Sequence, residues 1–326
     1  MRNKLLDQIR LIAAFMVVLI HAPLPGKAGQ VFEAISRVAV PLFFMVSGYY
    51  ALGKSKEKLL KSARKTAIML LWSVGVYFVW GVLWSLYKRT TAEYLIKFFS
   101  AKSILETFVF NNGVILGHLW FLLALLYCYL IYTYILRKAS PFVQTTVSAV
   151  LLISFFVVRE LLKISGVSNP VYYLRNFMFV GIPFFLIGGL VNRYKEHLIN
   201  LATPFWVGLM CVGVAVTLVE RFSVDCCDLY AGTIIAAVAL FVFAQKPGLI
   251  VGNMLAEMGE KYAGDIYIFH SLIITLLNAA ASVVGILSLG VFTWIRPVIV
   301  FIASIAVSYL RIAIKKKMFK NSKSLN

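Results

Sequence analysis

Ten stretches of the chain stay apolar long enough to cross a bilayer core, at about residues 5–22, 32–52, 66–87, 118–136, 142–161, 174–192, 204–220, 228–244, 265–284 and 289–311. Short polar segments separate most of them. The pattern predicts an all-α fold, a polytopic membrane helix bundle of about ten transmembrane helices. The longest connection, 88–117, carries Phe98, Phe99, Phe108 and Phe110, which predict a folded-back or partly embedded piece instead of free coil. One integral membrane domain then occupies 1–313, and 314–326 form a short basic cytoplasmic tail expected to be disordered. Arg2 and Lys4 ahead of the first run imitate a signal peptide. No small-x-small cleavage site follows, so the run reads as an uncleaved first helix. Neither an inverted repeat nor a soluble domain is visible.

Composition narrows the class. With 61% hydrophobic and 14% charged residues among 326, there is too little polar surface to clothe a soluble globule. The net charge of +19 does not point to nucleic acid, because the positive residues stand between apolar runs and not along an aromatic-studded groove. Orientation accounts for them better. With the N-terminus in the cytoplasm, the N-terminus, the segments near 53–65, 137–141, 193–203 and 245–264, and the tail carry most of the 32 lysines and arginines. The positive-inside rule therefore places both termini in the cytoplasm. Two dense clusters, Lys54, Lys56, Lys58, Lys61, Arg64 and Lys65, then Lys315, Lys316, Lys317, Lys320 and Lys323, suit anionic inner-leaflet lipid. The first also suits a polyanionic cytosolic substrate. Cys128, Cys211, Cys226 and Cys227 have no metal-ligand spacing, and neighbouring cysteines rarely form a relaxed disulfide, so neither a metal nor redox chemistry is assigned.

Ionisable groups inside apolar runs are costly and are therefore candidates for function. In DQIRLIAAFMVVLIH, residues 7–21, Arg10 and His21 stand three helical turns apart with about 20° of residual rotation, and so share one face about 16 Å apart along the axis. Asp7, Ala14 and Val17 lie on the same stripe. The structural alternatives are a snorkelling Arg10 paired with Asp7 and an interfacial His21 favoured by the helix C-terminus. Arg37 near the start of the second run, and Arg175 and Arg296 near the ends of theirs, either bind an anion or snorkel. His118 and Trp120 open a middle run, where an aromatic belt is the alternative to a site. Ser47, Gly48 and Tyr49 suit close helix packing or a kink. His270 stands a few residues into its run on the inner side, where structural hydrogen bonding is the alternative, and His197 lies in a basic loop. All thirteen acidic residues fall in loops or near run ends, Asp7, Glu33 and Asp265 included.

The Arg10 to His21 spacing resembles the arginine-ten-residues-histidine motif in the first helix of the membrane acyltransferase 3 family. Further matches follow in order: residues 36–49 (SRVAVPLFFMVSGY), 117–121 (GHLWF), 184–189 (FFLIGG) and 264–270 (GDIYIFH). The resemblance covers most of the chain. Many members carry a serine and paired glutamates after the middle tryptophan, whereas residues 119–125 here read LWFLLAL. In this the chain is more similar to a branch holding the acetyltransferase of enterobacterial common antigen, the succinyltransferase of the intercellular polysaccharide adhesin, and the membrane half of vancomycin-resistance serine racemases. The family acylates cell-envelope glycans. The resemblance thus implies a bacterial inner-membrane enzyme that uses acyl-CoA, acetyl-CoA being the commonest donor, and a cell-envelope glycan or lipid-linked sugar as acceptor. It leaves the oligomeric state open.

Under that implication the residues take roles. Arg10, with Asp7 beside it, clamps the donor, since a planar guanidinium binds phosphate or polarises a thioester carbonyl. His21 is the general base, with an acyl-histidine as variant; His118 orients the acceptor, and Arg37, Trp120, Ser47 and Tyr49 contact it. The rival readings are a transporter of a small polar solute, a role ascribed to the racemase relative, and a non-catalytic exporter component for a polysaccharide. Proton-coupled carriers keep carboxylates at the midplane, where the sequence reading finds none.

Overall fold

A computed structural model describes residues 3–223, 228–249 and 252–323, with side chains through residue 317. Cys226 and Cys227, Arg2, and the side chains of Lys320 and Lys323 lie outside the described residues. Those residues contain helices and no strand. They divide into two compact units, Met1–Val40 with Ala202–Asn326, and Pro41–Leu201.

The first unit begins with α1 (Lys4–His21), whose first turn is capped by Asn3: its side-chain oxygen accepts from the Leu5 and Leu6 N–H groups. α2 (Gly26–Ser36) follows after a short turn. In the second unit α3 (Ala39–Ala51), α4 (Lys56–Lys88), α5 (Thr91–Phe98), α6 (Ala101–Phe110), α7 (Trp120–Ile131), α8 (Pro141–Ile164), α9 (Val171–Leu174), α10 (Ile182–Arg193) and α11 (Lys195–Asn200) succeed one another. The chain then returns to the first unit with α12 (Thr203–Ser223), α13 (Ala231–Phe243), α14 (Asn253–Val284) and α15 (Gly290–Lys323). Wide π-type turns, Tyr132–Leu136 and Phe177–Gly181, end α7 and precede α10.

Glycines decide the tightest helix contacts. In the first unit a Cβ on Gly259 of α14 would come 1.8 Å from the carbonyl oxygen of Asp7 on α1, so no other residue fits there without moving the helices. His21 and His270 meet further along the same pair, so α1 and α14 run parallel. Gly213 and Gly232 bring α12 and α13 together in the same way, against Ala236 and Thr217. In the second unit Gly48 of α3 packs on the Phe185 carbonyl and Gly188 of α10 on that of Met45. Two of the matched sequence segments, 36–49 and 184–189, are thus the two sides of one helix contact. Small residues let backbones approach in a bilayer, where burial from water adds nothing to helix association.

Among the described residues, seven helical segments are long and apolar enough to cross a membrane. Of the remaining expected runs, α1 carries Lys4, Asp7 and Arg10, and 177–193 and 231–243 are shorter apolar helices. Three expectations need correction. A turn at Arg37 and Val38 divides the second run into α2 and α3. The basic segment after Ile314, expected to be disordered, continues as helix through Lys323. α14 begins at Asn253, well before the apolar run, because Glu257, Glu260 and Lys261 are polar yet helix-compatible and hide its first turns from a hydropathy reading. The 88–117 connection folds back as α5 and α6, with Phe78 of α4 against Phe98 and Phe99.

Candidate functional site

In the first unit the α1 stripe faces protein: Ala14 and Val17 are buried between its two ionisable ends. At the N-terminal end the Arg10 Nη1 donates to the Asp7 carboxylate at 3.2 Å, and Asp7 is 3% exposed. A guanidinium has five N–H donors and this bond takes one. At the other end the exposed His21 ring lies 5.0 Å, centroid to centroid, from the ring of His270, with their planes inclined by 43°.

His270 is fully buried, and its Nδ1 stands 2.7 Å from the Tyr267 carbonyl oxygen and 3.2 Å from that of Ile266. A carbonyl only accepts, so Nδ1 carries a hydrogen and donates it. The expected position of His270 is therefore corrected. The early start of α14 puts it mid-helix, level with His21 and away from the Arg10 end. The sequence treated its backbone bonding as an alternative to function; the structure shows that bonding and the His21 contact together.

The same unit holds a charged lattice. Arg37 donates from Nη1 to Asp228 and from Nη2 to Glu33, and Arg221 approaches Glu33 at 3.7 Å. Glu220 accepts from the Ala231 and Gly232 N–H groups and so caps α13. Arg37 thus holds two carboxylates, and an anionic acceptor would have to compete with them. The Glu33 to Arg37 spacing of four was legible on a helix. Asp228 was not, since it is distant in sequence. Arg296 donates to the Pro23 carbonyl at 3.3 Å.

One acidic position departs from expectation. Asp265 is buried inside α14, and Oδ2 alone accepts from Arg311 Nε at 2.9 Å and Nη2 at 2.6 Å. A hydropathy-based run starting at 265 made it a helix end. In the longer helix it is interior.

The second unit holds the other sequence-nominated residues. His118, in the single turn Gly117–Leu119, packs edge-on against Tyr77 at 4.6 Å. Trp120 is buried, with the Arg175 guanidinium 5.7 Å above its ring and Phe44 beside it. The Ser47 hydroxyl donates to the Phe43 carbonyl at 2.9 Å, a helix back-bond, and Tyr49 is buried with its carbonyl accepting from Asn192. Asn111 and Asn176, both buried, tie the segment around 111 to that around 177: Asn111 accepts from the Phe177 N–H, and Asn176 from those of Met178 and Phe179. The sequence reading did not single out either asparagine.

Residues 3–312 match the acyltransferase domain that defines the acyltransferase 3 family. The chain is also similar to an amino-acid racemase of Enterococcus faecalis, 23% identical over 96% of this chain and 46% of the relative. A serine/alanine racemase of Enterococcus gallinarum is 29% identical over 69% of this chain and 34% of the relative. The chain therefore spans less than half the length of these relatives. No solved structure matches.

Proposed function

Because the chain belongs to the acyltransferase 3 family, we propose that it is a membrane O-acyltransferase that moves an acyl group, acetyl foremost, from cytosolic acyl-CoA to a hydroxyl of a cell-envelope glycan or lipid-linked sugar at the bacterial inner membrane. The observation that carries the reading is one helix, α1, with an arginine–aspartate pair at one end and an imidazole pair, His21 with His270, at the other. Arg10 holds the donor by phosphate or thioester oxygen, for which a charged planar fork is suited. His21 takes the proton of the acceptor hydroxyl as its oxygen attacks the thioester carbonyl; the C–S bond breaks, and CoA leaves as thiol with that proton. Such base catalysis contributes about 10² to 10⁴-fold. Asp7 orients Arg10. His118, Trp120, Ser47 and Tyr49 are assigned to acceptor contact, and Arg37 to holding Glu33 and Asp228.

The test is transfer of radiolabelled acetyl from acetyl-CoA to envelope glycans by membranes holding wild-type protein, His21→Ala or Arg10→Ala. Label on glycan that depends on both side chains is expected. Equal labelling by wild type and His21→Ala, at equal protein level, removes the base assignment.

A second reading has specific support. Asp7 and Asp265 are carboxylates buried within helices and paired to arginines, the arrangement membrane carriers use, and the relatives are named for amino-acid racemases. A carrier of a small polar solute such as an amino acid would show uptake in proteoliposomes without any acyl-CoA.

A further inference from the structure

In the second unit, α6 and the segment 167–173 flank an open, shallow cavity of about 300 Å³, at the lower end of the range for small-molecule sites. It is lined by Lys102, Glu106, Ser168, Asn169, Tyr172 and Tyr173, with Val167 as its apolar member. These side chains took no part in the reading above. From their chemistry we infer that the cavity is a saccharide-binding subsite, which takes an uncharged sugar unit of the glycan acceptor.

The cavity has the parts that sugar recognition needs. A pyranose offers hydroxyls that both donate and accept, and an apolar face of C–H groups. Glu106 supplies a strong acceptor, Asn169 an amide that donates and accepts, and Ser168 a hydroxyl. The Tyr173 ring, 39% exposed, is a platform for the apolar face. It is braced edge-on by Phe110 at 5.3 Å and by Tyr172 at 5.0 Å. The Tyr172 Oη is buried beside the Glu106 carboxylate, with which it interacts. Burial and that carboxylate push the phenol up to about 12, so it remains a donor throughout the physiological range. The phenol and the Glu106 carboxylate together present a donor and an acceptor to a sugar hydroxyl.

The charge balance selects the ligand class. Lys102 stands 3.9 Å from Glu106, so neither a free anion nor a free cation meets an uncompensated opposite charge. A phosphate would also face the Glu106 carboxylate. The wall is preorganised: Asn112 donates to the Tyr172 carbonyl at 3.2 Å, and Asn176 to that of Tyr173 at 2.8 Å. Gly113, at φ +96°, passes so close to Glu106 that a Cβ there would sit 3.0 Å from its Oε2. The short helix bearing Tyr172 and Tyr173 leads directly into Arg175, which covers Trp120, so the same wall reaches a residue already assigned to acceptor contact.

The inference rests on the acyl-transfer reading for the identity of the sugar as acceptor, and the test separates the two. Full-length protein in nanodiscs is mixed with neutral glycan fragments released from the host envelope by mild hydrolysis and labelled with 2-aminobenzamide, and retention is measured at equilibrium. Wild type should retain fragments. Glu106→Gln, close in size to the original, and Tyr173→Ala, at an exposed ring, should each weaken retention about tenfold or more. No retention by wild type, or equal retention by both variants, overturns the subsite. Acetyl transfer is read separately with acetyl-CoA and the same membranes. Retention that depends on Glu106 without transfer keeps the subsite and defeats the enzymatic reading; transfer with an unchanged acceptor KM in Glu106→Gln and Tyr173→Ala does the reverse.

Discussion

The imidazoles of His21 and His270 stand ring to ring at 5.0 Å, joining the last turn of α1 to the middle of α14. His270 is held by the carbonyls of its own helix, so its orientation is set before any substrate arrives. If His21 is the base, its neighbour acts through it, as a positioning residue. Residues acting as one unit are not additive. We therefore expect His21→Ala to lower transfer by about 10² to 10⁴-fold, His270→Ala by less, and the double variant to match His21→Ala. A double variant equal to the product of the singles, in kcat and in pH profile, would show that the two rings act independently.

Arg37 tests whether a charge serves the fold or the acceptor. It stands between Glu33 and Asp228 with a side chain only 14% exposed, so removing it takes from both carboxylates the cation they share, with Arg221 still near Glu33. Arg37→Ala should cost about 3–5 kcal/mol, as breaking a buried pair does. Arg37→Lys should recover little, since one ammonium cannot present a fork to two carboxylates. Thermal unfolding in detergent measures both. A variant of unchanged Tm whose acceptor KM rises would instead assign Arg37 to direct anion binding.

The helix contacts make a graded prediction at glycine. Gly259→Ala and Gly48→Ala would drive a methyl group to 1.8 Å and 1.7 Å from a carbonyl oxygen on the neighbouring helix, so each should cost about 1–3 kcal/mol or more. Gly75 lies within α4, with open space where a Cβ would stand. There alanine should stabilise by about 0.5–1 kcal/mol, because it restricts the unfolded chain and favours helix. Three Tm values of equal size would mean that packing is not the discriminating factor.

These contacts show what a sequence can carry. Hydropathy located the apolar helices, because the demand for internal backbone hydrogen bonding in lipid leaves few alternatives. The Arg10 to His21 stripe was legible because helical periodicity acts over a few turns, and Ala14 and Val17 on it are buried. Periodicity carries nothing between distant helices, so the approach of His270 to His21 and of Asp228 to Arg37 could not be read. Nor could the start of α14, since Glu257, Glu260 and Lys261 look like a loop to a hydropathy window. The cavity around Glu106 was hidden for a third reason. Its walls are set by Asn112 and Asn176, whose bonds to Tyr172 and Tyr173 depend on loop geometry.

Asp265 and Arg311 form a pair whose two members are unequally buried, which fixes the order of their mutational effects. The Asp265 side chain is 7% exposed and that of Arg311 is 40% exposed. Removing the arginine leaves a charge in the interior, whereas removing the carboxylate leaves a guanidinium that water still reaches. Arg311→Gln should therefore cost about 3–5 kcal/mol, and Asp265→Asn about 1–2 kcal/mol, near the value of a lost charged hydrogen bond. The double variant Asp265→Asn with Arg311→Gln should regain part of the loss of Arg311→Gln, since no buried charge remains. Unfolding midpoints of the four proteins give the coupling directly. The same proteins also separate the enzyme from the carrier. A pair that only fastens α14 to α15 predicts that acetyl transfer by Asp265→Asn survives at temperatures well below its midpoint. A carboxylate that must gain and lose a proton in each transport cycle predicts that solute uptake in proteoliposomes disappears in Asp265→Asn even where the protein is fully folded.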